Sequence, residues 1–325
     1  MISRRTVLSG LASAAACAAY PAAGAVAADQ PPLRVAKSIA GVFAYSPIDV
    51  GLARGFYQKA GVALDVLTFN GASKMHEAMI GGALDIALGS GSTLINILKG
   101  EQTMCVAQTM GPPAELAILV PYDSPIRTPD DLKGKTIGVA TTGSVTEWMA
   151  FELAKLKGWG PHGVRTVGLG GGTNSIAALR THTVDAVIDT AADAFTLEPQ
   201  KVVRSLLPCS SYVKDFVMHA IYASTDVVRT RQPALRAFLA GWFESTAYIR
   251  ANKTEAVRIA AAASGMDPTA QAQEYAILAP LLSTDGRFSR PGLATIARSY
   301  VELGMLDTEP DLSKLCTEQF LPRRA

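Results

Sequence analysis

Three consecutive glycines in the segment GLGGGTNS, residues 168–175, could form a loop that wraps a phosphate group. Free backbone N–H groups in such a loop, followed by the start of a helix, bind anions. The sequence departs from the nucleotide motifs, however. It has no G-x-x-x-x-G-K-[ST] pattern, and Thr173 stands where G-x-G-x-x-G requires its third glycine. We therefore predict that this loop binds something other than a nucleotide.

Residue types that bind metals or catalyse reactions are scattered along the chain. The four histidines, at positions 76, 162, 182 and 219, lack H-x-x-x-H spacing, and no C-x-x-C pair is present. Cys105 is expected to be a small buried residue, and a pair such as Cys209 with Cys316 stays open as an unsupported alternative. From these patterns we predict no catalytic residue, metal or cofactor, and expect that the protein is not an enzyme.

The glycine loop has a counterpart one hundred residues earlier. The segment FNGASKMHEAMIGGALDIALGS (69–90) aligns with LGGGTNSIAALRTHTVDAVIDT (169–190). Gly71 then matches Gly171, and Asp85 matches Asp185. Each segment follows an apolar strand and reads as a glycine turn, a helix, an aspartate and a second strand, which is a βαβ unit with parallel strands. Two such units predict two similar α/β lobes.

The remaining pattern predicts how the chain divides between these lobes. Residues 33–122 together with 216–325 are assigned to lobe one, and residues 123–215 to lobe two. Each lobe is expected to be a mostly parallel sheet flanked by helices, with a hinge of two strands between the lobes. An apolar stripe of Leu235, Phe238, Leu239 and Trp242 predicts a core-facing helix after residue 232.

The first 28 residues predict an export signal. Arg4 and Arg5 precede a long apolar run and an A-x-A cleavage pattern, and the start resembles a twin-arginine signal with Val7 in place of the usual Phe. We expect cleavage near Ala27 or Ala28 and a periplasmic protein, and we favour this over lipid anchoring at Cys17. Cleavage lowers the formal charge from +2 to zero, which leaves no electrostatic basis for binding nucleic acid or an anionic membrane.

The order of several segments resembles a known family. They are SPIDVGLARGFYQKAGV (46–62), GGALDIALGS (81–90), DLKGKTIGVATTGS (131–144) and DGRFSRPGLATIARSYVELGML (285–306). Together they resemble the periplasmic substrate-binding proteins of ABC importers, closest to the nitrate, sulfonate, taurine and thiamine-pyrimidine group. The resemblance covers nearly all of the chain after the leader. It implies a two-lobed type II periplasmic-binding-protein fold in a monomer.

The resemblance also implies a function. Hinge closure would enclose a small organic ligand, and an ABC permease with its ATPase at the inner membrane would receive it. The ligand could be a sulfonate, a taurine-like or nitrate-like molecule, an aromatic acid or a pyrimidine. Two alternatives stay open: an enzyme related to thiamine-pyrimidine synthesis, whose Cys- and His-rich site is not matched here, and a periplasmic ligand sensor.

Ligands of such lobes bind beyond the carboxyl ends of the parallel strands, and the resemblance places the pocket at the same loops. The predicted ligand-binding residues are Phe43, Tyr45, Gly71, Ser73, Lys74, Ser90, Ser92, Thr142, Ser144, Gly171, Thr173 and Asp189.

Each residue type has an expected role and a simpler alternative. The glycines allow close backbone approach. The hydroxyl groups stand at predicted helix starts, where they either contact the ligand or cap the helix. Ser144 begins a capping box with Glu147. Lys74 would pair with an anion or remain solvated, and Asp189 would receive an amine. Phe43 and Tyr45 would line an apolar wall or pack within the lobe, whereas Asp85 and Asp185 are expected to be structural.

Overall fold

A computed structural model describes residues 31–38, 40–69, 71–160 and 163–323, so the predicted leader lies outside the described residues. In chain order the strands are β1 (Leu33–Lys37), β2 (Leu64–Thr68), β3 (Ile86–Ser90), β4 (Thr103–Met110), β5 (Leu116–Pro121), β6 (Thr136–Val139), β7 (Arg165–Gly168), β8 (Ala186–Thr190), β9 (Val203–Pro208) and β10 (His219–Ser224). The helices are α1 (Ser46–Arg54), α2 (Phe56–Lys59), α3 (Ala72–Ile80), α4 (Leu94–Leu98), α5 (Val145–Leu156), α6 (Thr173–Arg180), α7 (Ala191–Leu197), α8 (Thr225–Thr230), α9 (Gln232–Ala251), α10 (Lys253–Ser264), α11 (Pro268–Leu278) and α12 (Arg290–Glu302).

The strands form two five-stranded sheets with equivalent topology. The first sheet has the order β2-β1-β3-β10-β4 and the second the order β7-β6-β8-β5-β9. In each sheet the first three strands in this order are parallel, and the fourth strand pairs with the third in the antiparallel direction. The two-lobed α/β fold is therefore confirmed. The internal repeat is also present, because β2-α3-β3 and β7-α6-β8 occupy equivalent positions in the two sheets.

The strand β5 lies in the second sheet, where it pairs with β8 and β9. The prediction that residues 33–122 belong to lobe one is therefore wrong for this strand. The apolar run 115–122 follows β4 closely, and only its pairing partners reveal the sheet to which it belongs. The chain thus passes between the sheets after Met110 and again after Pro208.

The aspartates Asp85 and Asp185 have the structural role expected for them. Asp85 accepts the backbone N–H of Arg34 at 2.9 Å and binds its guanidinium at 2.8 Å, while Arg231 adds a second charge at 3.3 Å. At the equivalent position of the second sheet, Asp185 accepts the backbone N–H of Thr136 at 2.8 Å. Each aspartate thus fixes the start of the neighbouring parallel strand, at the edge opposite the candidate loops.

The predicted helix after residue 232 is α9, and its apolar stripe is buried as expected. Tyr57 stacks on Phe238 at a ring separation of 5.7 Å, which attaches α9 to the helices that follow β1. The segments that follow β1, β2 and β3 carry the predicted binding residues of this lobe. They form one side of the candidate site.

Candidate functional site

The candidate site lies between the loop edges of the two sheets. In the first sheet, the antiparallel pairing of His219 with Ser90 places the start of β10 at the carboxyl end of β3. In the second sheet, Leu116 pairs with Thr190, which places the start of β5 at the carboxyl end of β8. Both crossings between the sheets therefore enter at the edge that carries the predicted binding loops.

The glycine loops adopt backbone conformations that side chains rarely allow. Gly71 has φ +117°, and its N–H donates to the carbonyl of Ser38 at 2.9 Å. Gly170, Gly171 and Gly172 all have positive φ, and Gly170 donates to the carbonyl of Ala140 at 2.8 Å. Each loop is thus held to the loop after the neighbouring strand. An added Cβ at Gly71 or Gly171 would meet no atom within 4 Å, so backbone conformation and not crowding favours glycine at these positions.

The two helices after these loops begin one or two residues earlier than the hydroxyl pattern predicts. Gly71 and Gly172 are the N-cap residues of α3 and α6, without any side-chain cap. Ser73 and Thr173 lie within the first helical turns and are exposed. Because neither hydroxyl caps its helix, the capping alternative does not hold for these two residues.

Ser73 and Lys74 point away from the protein interior. Ser73 lines a groove of about 600 Å³ between α3 and α4, together with His76 and Asn96. Lys74 is exposed and forms no hydrogen bond or ion pair with a described residue. Their contact with a ligand stays a prediction.

Ser144 caps α5 as its sequence pattern predicts, accepting the N–H of Glu147 at 3.4 Å. The Glu147 carboxylate accepts the N–H of Gly143 at 2.6 Å, so it holds the loop one residue before the cap. Thr142 is exposed on this loop. The loop approaches Met305 of the other lobe, since an added Cβ at Gly143 would lie 2.9 Å from the Met305 methyl carbon.

The two aromatic candidates are buried within lobe one. Phe43 meets Tyr275 edge to face at 5.9 Å, and the Tyr45 hydroxyl shares a 3.0 Å hydrogen bond with Ser38. Burial raises the pKa of Tyr45 well above its ordinary value. The lobe-packing alternative therefore describes their contacts in this conformation. Tyr45 also contacts His219, at the end of the second crossing, with 5.2 Å between the two ring centres.

The serines at the end of β3 and in the turn after it are held by two tyrosines. Tyr222 donates to the carbonyl of Ser90 and Tyr300 donates to the carbonyl of Ser92, both at 2.7 Å. The two serine hydroxyls lie 3.0 Å apart and share a hydrogen bond. This loop is therefore pre-organised, with its hydroxyl groups only partly buried.

Asp189 has a different environment from that expected for an amine receptor. One carboxylate oxygen accepts the N–H of Gly172 at 2.9 Å, and the other accepts the N–H of Thr190 at 2.9 Å. The residue is buried. Its immediate role is to hold the triple-glycine loop, and contact with a ligand stays a prediction.

A hydrogen-bonded pair of side chains joins the two crossings between the lobes. Glu115 lies at the end of the first crossing and His219 at the end of the second, with Oε1 and Nε2 2.6 Å apart. The other ring nitrogen of His219, Nδ1, is buried and has no partner among the described residues. Sequence reasoning missed this pair, because the two residues are 104 positions apart and match no motif.

A second carboxyl group approaches the same pair from α11. Glu274 is 6% exposed, and its Oε2 accepts a hydrogen bond from Gln271 at 2.9 Å. Burial, reinforced by the negative charge of Glu115, raises the pKa of Glu274 to about 8. The helix α11 packs against α7, whose first N–H donates to the backbone carbonyl of Glu115. Glu274 thus contributes a largely protonated carboxyl group near neutral pH.

The lobes also meet through polar groups on α5 and α12. Trp148 Nε1 donates to Glu302 at 2.7 Å, and Arg298 pairs with Glu152 at 3.1 Å. Phe216 of the second crossing stacks on Trp148 at 5.7 Å. These contacts set the relative orientation of the lobes in the described conformation.

Within the described ranges, no group of three or more His, Cys, Asp or Glu side chains is arranged to hold a metal ion. No helix in the same part of the chain is both long and apolar enough to cross a bilayer.

Comparison with known proteins gives a family and a fold. Residues 43–256 match the family model described as NMT1/THI5 like. The alkanesulfonate-binding protein SsuA of Xanthomonas axonopodis pv. citri is similar in structure, with a TM-score of 0.73, 17% identity, and coverage of 90% of this chain and 100% of that chain. The periplasmic aliphatic sulphonate binding protein SsuA of Escherichia coli has a TM-score of 0.75 and 17% identity, covering 89% of this chain and 93% of that chain. No curated protein sequence matches.

One comparison overturns an expectation from the sequence. The desulfurization enzyme DSZB has the same fold, with a TM-score of 0.63 and 17% identity over 89% of this chain and 97% of that chain. The prediction that the chain is not an enzyme is therefore wrong. An enzyme has the same fold, so neither the fold nor the family resemblance excludes catalysis.

Proposed function

Since this chain belongs to the NMT1/THI5-like family, we propose that it is the extracytoplasmic solute-binding component of an ABC import system. It binds a small organic ligand between its lobes by hinge closure and delivers the ligand to the membrane permease and its ATPase. The observation that carries this proposal is the pair of equivalent glycine loops, at Gly71 and at Gly170–Gly172, on the edges where both chain crossings enter.

Energetics favour a ligand that is enclosed by both lobes. The start of a helix stabilises a bound anion by about 0.3–1 kcal/mol. Micromolar affinity requires about 8 kcal/mol. Helix ends alone are therefore insufficient, so direct hydrogen bonds and exclusion of water between the lobes supply most of the binding free energy. The functional lobe boundaries then lie at the two crossings, near residues 111–115 and 209–218.

The carboxyl groups near the two crossings favour a ligand that exchanges hydrogen bonds with a carboxyl group, because Glu274 is largely protonated near neutral pH. Glu115, Asp189 and Glu274 lie at or near this edge, whereas Lys74 is exposed on α3. Only one oxygen of Glu274 is used by a described donor. Of the ligands that the family resemblance implies, a nitrogen heterocycle such as a pyrimidine therefore fits this edge better than a sulfonate, taurine-like or nitrate-like anion or an aromatic acid.

The cellular role follows from the same proposal. The leader over residues 1–28 directs export to the periplasm, with cleavage near Ala27 or Ala28. There the protein acts as a monomer that exchanges ligand with its permease. Nucleic acid is not among its partners, because the chain without its leader is formally neutral.

Calorimetry on the purified chain without its leader tests the proposal, using a panel of pyrimidines, sulfonates and aromatic acids. We expect binding of one class, with compaction in small-angle scattering when that ligand is present. Glu274→Gln should weaken a nitrogen-donor ligand, and Lys74→Ala should weaken an anion, so each variant is the control for the other. Binding without compaction would refute hinge closure, and chemical conversion of the bound ligand would identify an enzyme instead.

A further inference from the structure

Two cysteines that are far apart in sequence are neighbours in lobe one. Cys105 lies in β4, and Cys316 lies in the segment after the short helix Leu312–Leu315. They form a parallel β-bridge, in which the N–H of Thr317 donates to the carbonyl of Cys105 at 2.9 Å. Bridge partners project their side chains to the same face, and the proximity of the Cys316 thiol adds to burial in raising the pKa of the Cys105 thiol. The Cys316 thiol itself donates to the carbonyl of Leu312 at 3.4 Å. Both are free thiols in the structure.

The backbone at this bridge meets the requirements of a disulfide bond. Neighbouring strands lie about 4.8 Å apart, and disulfides usually form between Cα atoms about 4.4–6.8 Å apart. The thiols therefore need only rotate about their Cα–Cβ bonds. Cys209 offers no comparable geometry. It is buried at the second crossing, where the Tyr212 hydroxyl donates to its sulfur at 3.4 Å, and no other cysteine among the described residues is recorded in contact with it.

We propose that Cys105 and Cys316 form a disulfide bond once the folded protein meets an oxidising environment, and that Cys209 remains a free thiol. The inference goes beyond the proposed function and uses the proposed export only as the source of that environment. The oxidant is a disulfide, either of a small thiol such as glutathione or of a dithiol oxidoreductase.

The order of the two steps follows from exposure. Cys316 is partly exposed, so its thiolate attacks the oxidant RS–SR and releases one RS⁻, giving a mixed disulfide. Cys105 is fully buried, and burial raises the pKa of its thiol, so it remains protonated until the mixed disulfide lies beside it. Its sulfur then attacks the sulfur of Cys316, and its proton passes to the second departing RS⁻. The balance is two thiols and RS–SR converted to one protein disulfide and two RSH.

The bond would fasten the C-terminal segment to the edge strand of the first sheet. At present β4 pairs with β10 on one side, and the bridge to Cys316 lies at its other side. Farther along the segment, Phe320 is buried and the guanidinium of Arg236 lies 5.0 Å from its ring centre. A disulfide would therefore close a loop that contains both crossings and the whole second lobe.

Intact mass and thiol alkylation test the proposal on the chain without its leader. The folded protein is incubated with oxidised and reduced glutathione, unfolded, alkylated and digested. We expect a mass decrease of about 2 Da relative to the reduced protein, loss of two of the three alkylation sites, and a linked peptide that joins Cys105 with Cys316. The oxidised protein should also melt at a higher temperature than the reduced protein.

Two variants keep the test decisive. Cys316→Ser changes the partly exposed partner and should abolish the mass change and the redox dependence of melting. Cys209→Ser is the matched control and should retain both. Three free thiols after oxidation, or a disulfide that contains Cys209, would overturn the proposal. Because the oxidant is supplied in solution, either result is independent of export and of ligand binding.

Discussion

Glu274→Gln removes a buried carboxyl group while keeping its shape and its acceptor for Gln271. The folded state holds this group with a pKa of about 8, against an ordinary value of 4.5. Between these two values the unfolded chain releases the proton and the folded protein retains it. The unfolded state is therefore favoured increasingly as pH rises, and this group lowers the stability of the wild type across that window.

The size of the effect follows from the two pKa values. Each pKa unit corresponds to about 1.4 kcal/mol, so the full difference is worth roughly 5 kcal/mol at high pH. Local rearrangement and water entry reduce this, and we expect Glu274→Gln to be more stable than the wild type by about 1–3 kcal/mol at pH 8. At pH 4.5 the two proteins should differ little, because only about half of the unfolded wild-type chains have released the proton, and at lower pH the carboxyl group is protonated in both states.

Urea unfolding at several pH values between 4.5 and 8 measures this difference directly. Other groups near the hinge, including His219 and Glu115, remain in both proteins, so the difference between the two curves isolates Glu274. Glu309→Gln on the exposed surface is a matched control and should track the wild type. The reasoning is refuted if the difference between Glu274→Gln and the wild type stays constant from pH 4.5 to 8.

Three further changes test other contacts. Asp85→Asn should cost about 2–4 kcal/mol in urea unfolding at neutral pH. Burial raises the pKa of Asp85, but its bonds to Arg34 lower the pKa by more, so the net pKa lies below 3.8 and the loss of stability in the variant should shrink as pH falls below 3.8. Asp185→Asn changes a more exposed carboxylate and should cost less. Gly172→Ala, at φ +54° and ψ −129°, should cost about 1–2 kcal/mol in thermal unfolding, whereas Gly81→Ala at φ −70° should be nearly neutral. Glu302→Gln weakens the charged contacts of α12 with Lys155, so the ligand-free protein should show a larger radius of gyration by scattering; an unchanged radius would contradict this role.

Local patterns in the sequence were sufficient to predict much of the fold. Alternating apolar strands, glycine turns and amphipathic helices depend on neighbouring residues, so the βαβ repeat and the helix after residue 232 could be predicted without any knowledge of distant contacts. The strand β5 was misplaced because sheet membership depends on its partners, and a short apolar run is compatible with either sheet.

The site was harder to predict because its determinants are long-range. Loop positions could be inferred from the rule that ligands bind beyond parallel strands. The pair of Glu115 with His219 could not, since nothing in either local sequence indicates a charged partner. Helix starts were displaced at α3 and α6 because glycine with positive φ supplied the cap position that a hydroxyl was expected to fill.

The position of β10 between β3 and β4 has a consequence for biosynthesis. All five strands of the second sheet have been synthesised by residue 208, whereas β4 has no strand partner in the first sheet until residues 219–224 are synthesised. The later lobe in sequence is thus the earlier one to complete its hydrogen-bonded sheet. A chain that ended shortly after residue 208 would contain every strand of the second sheet, but its first sheet would lack the strand that joins β3 to β4.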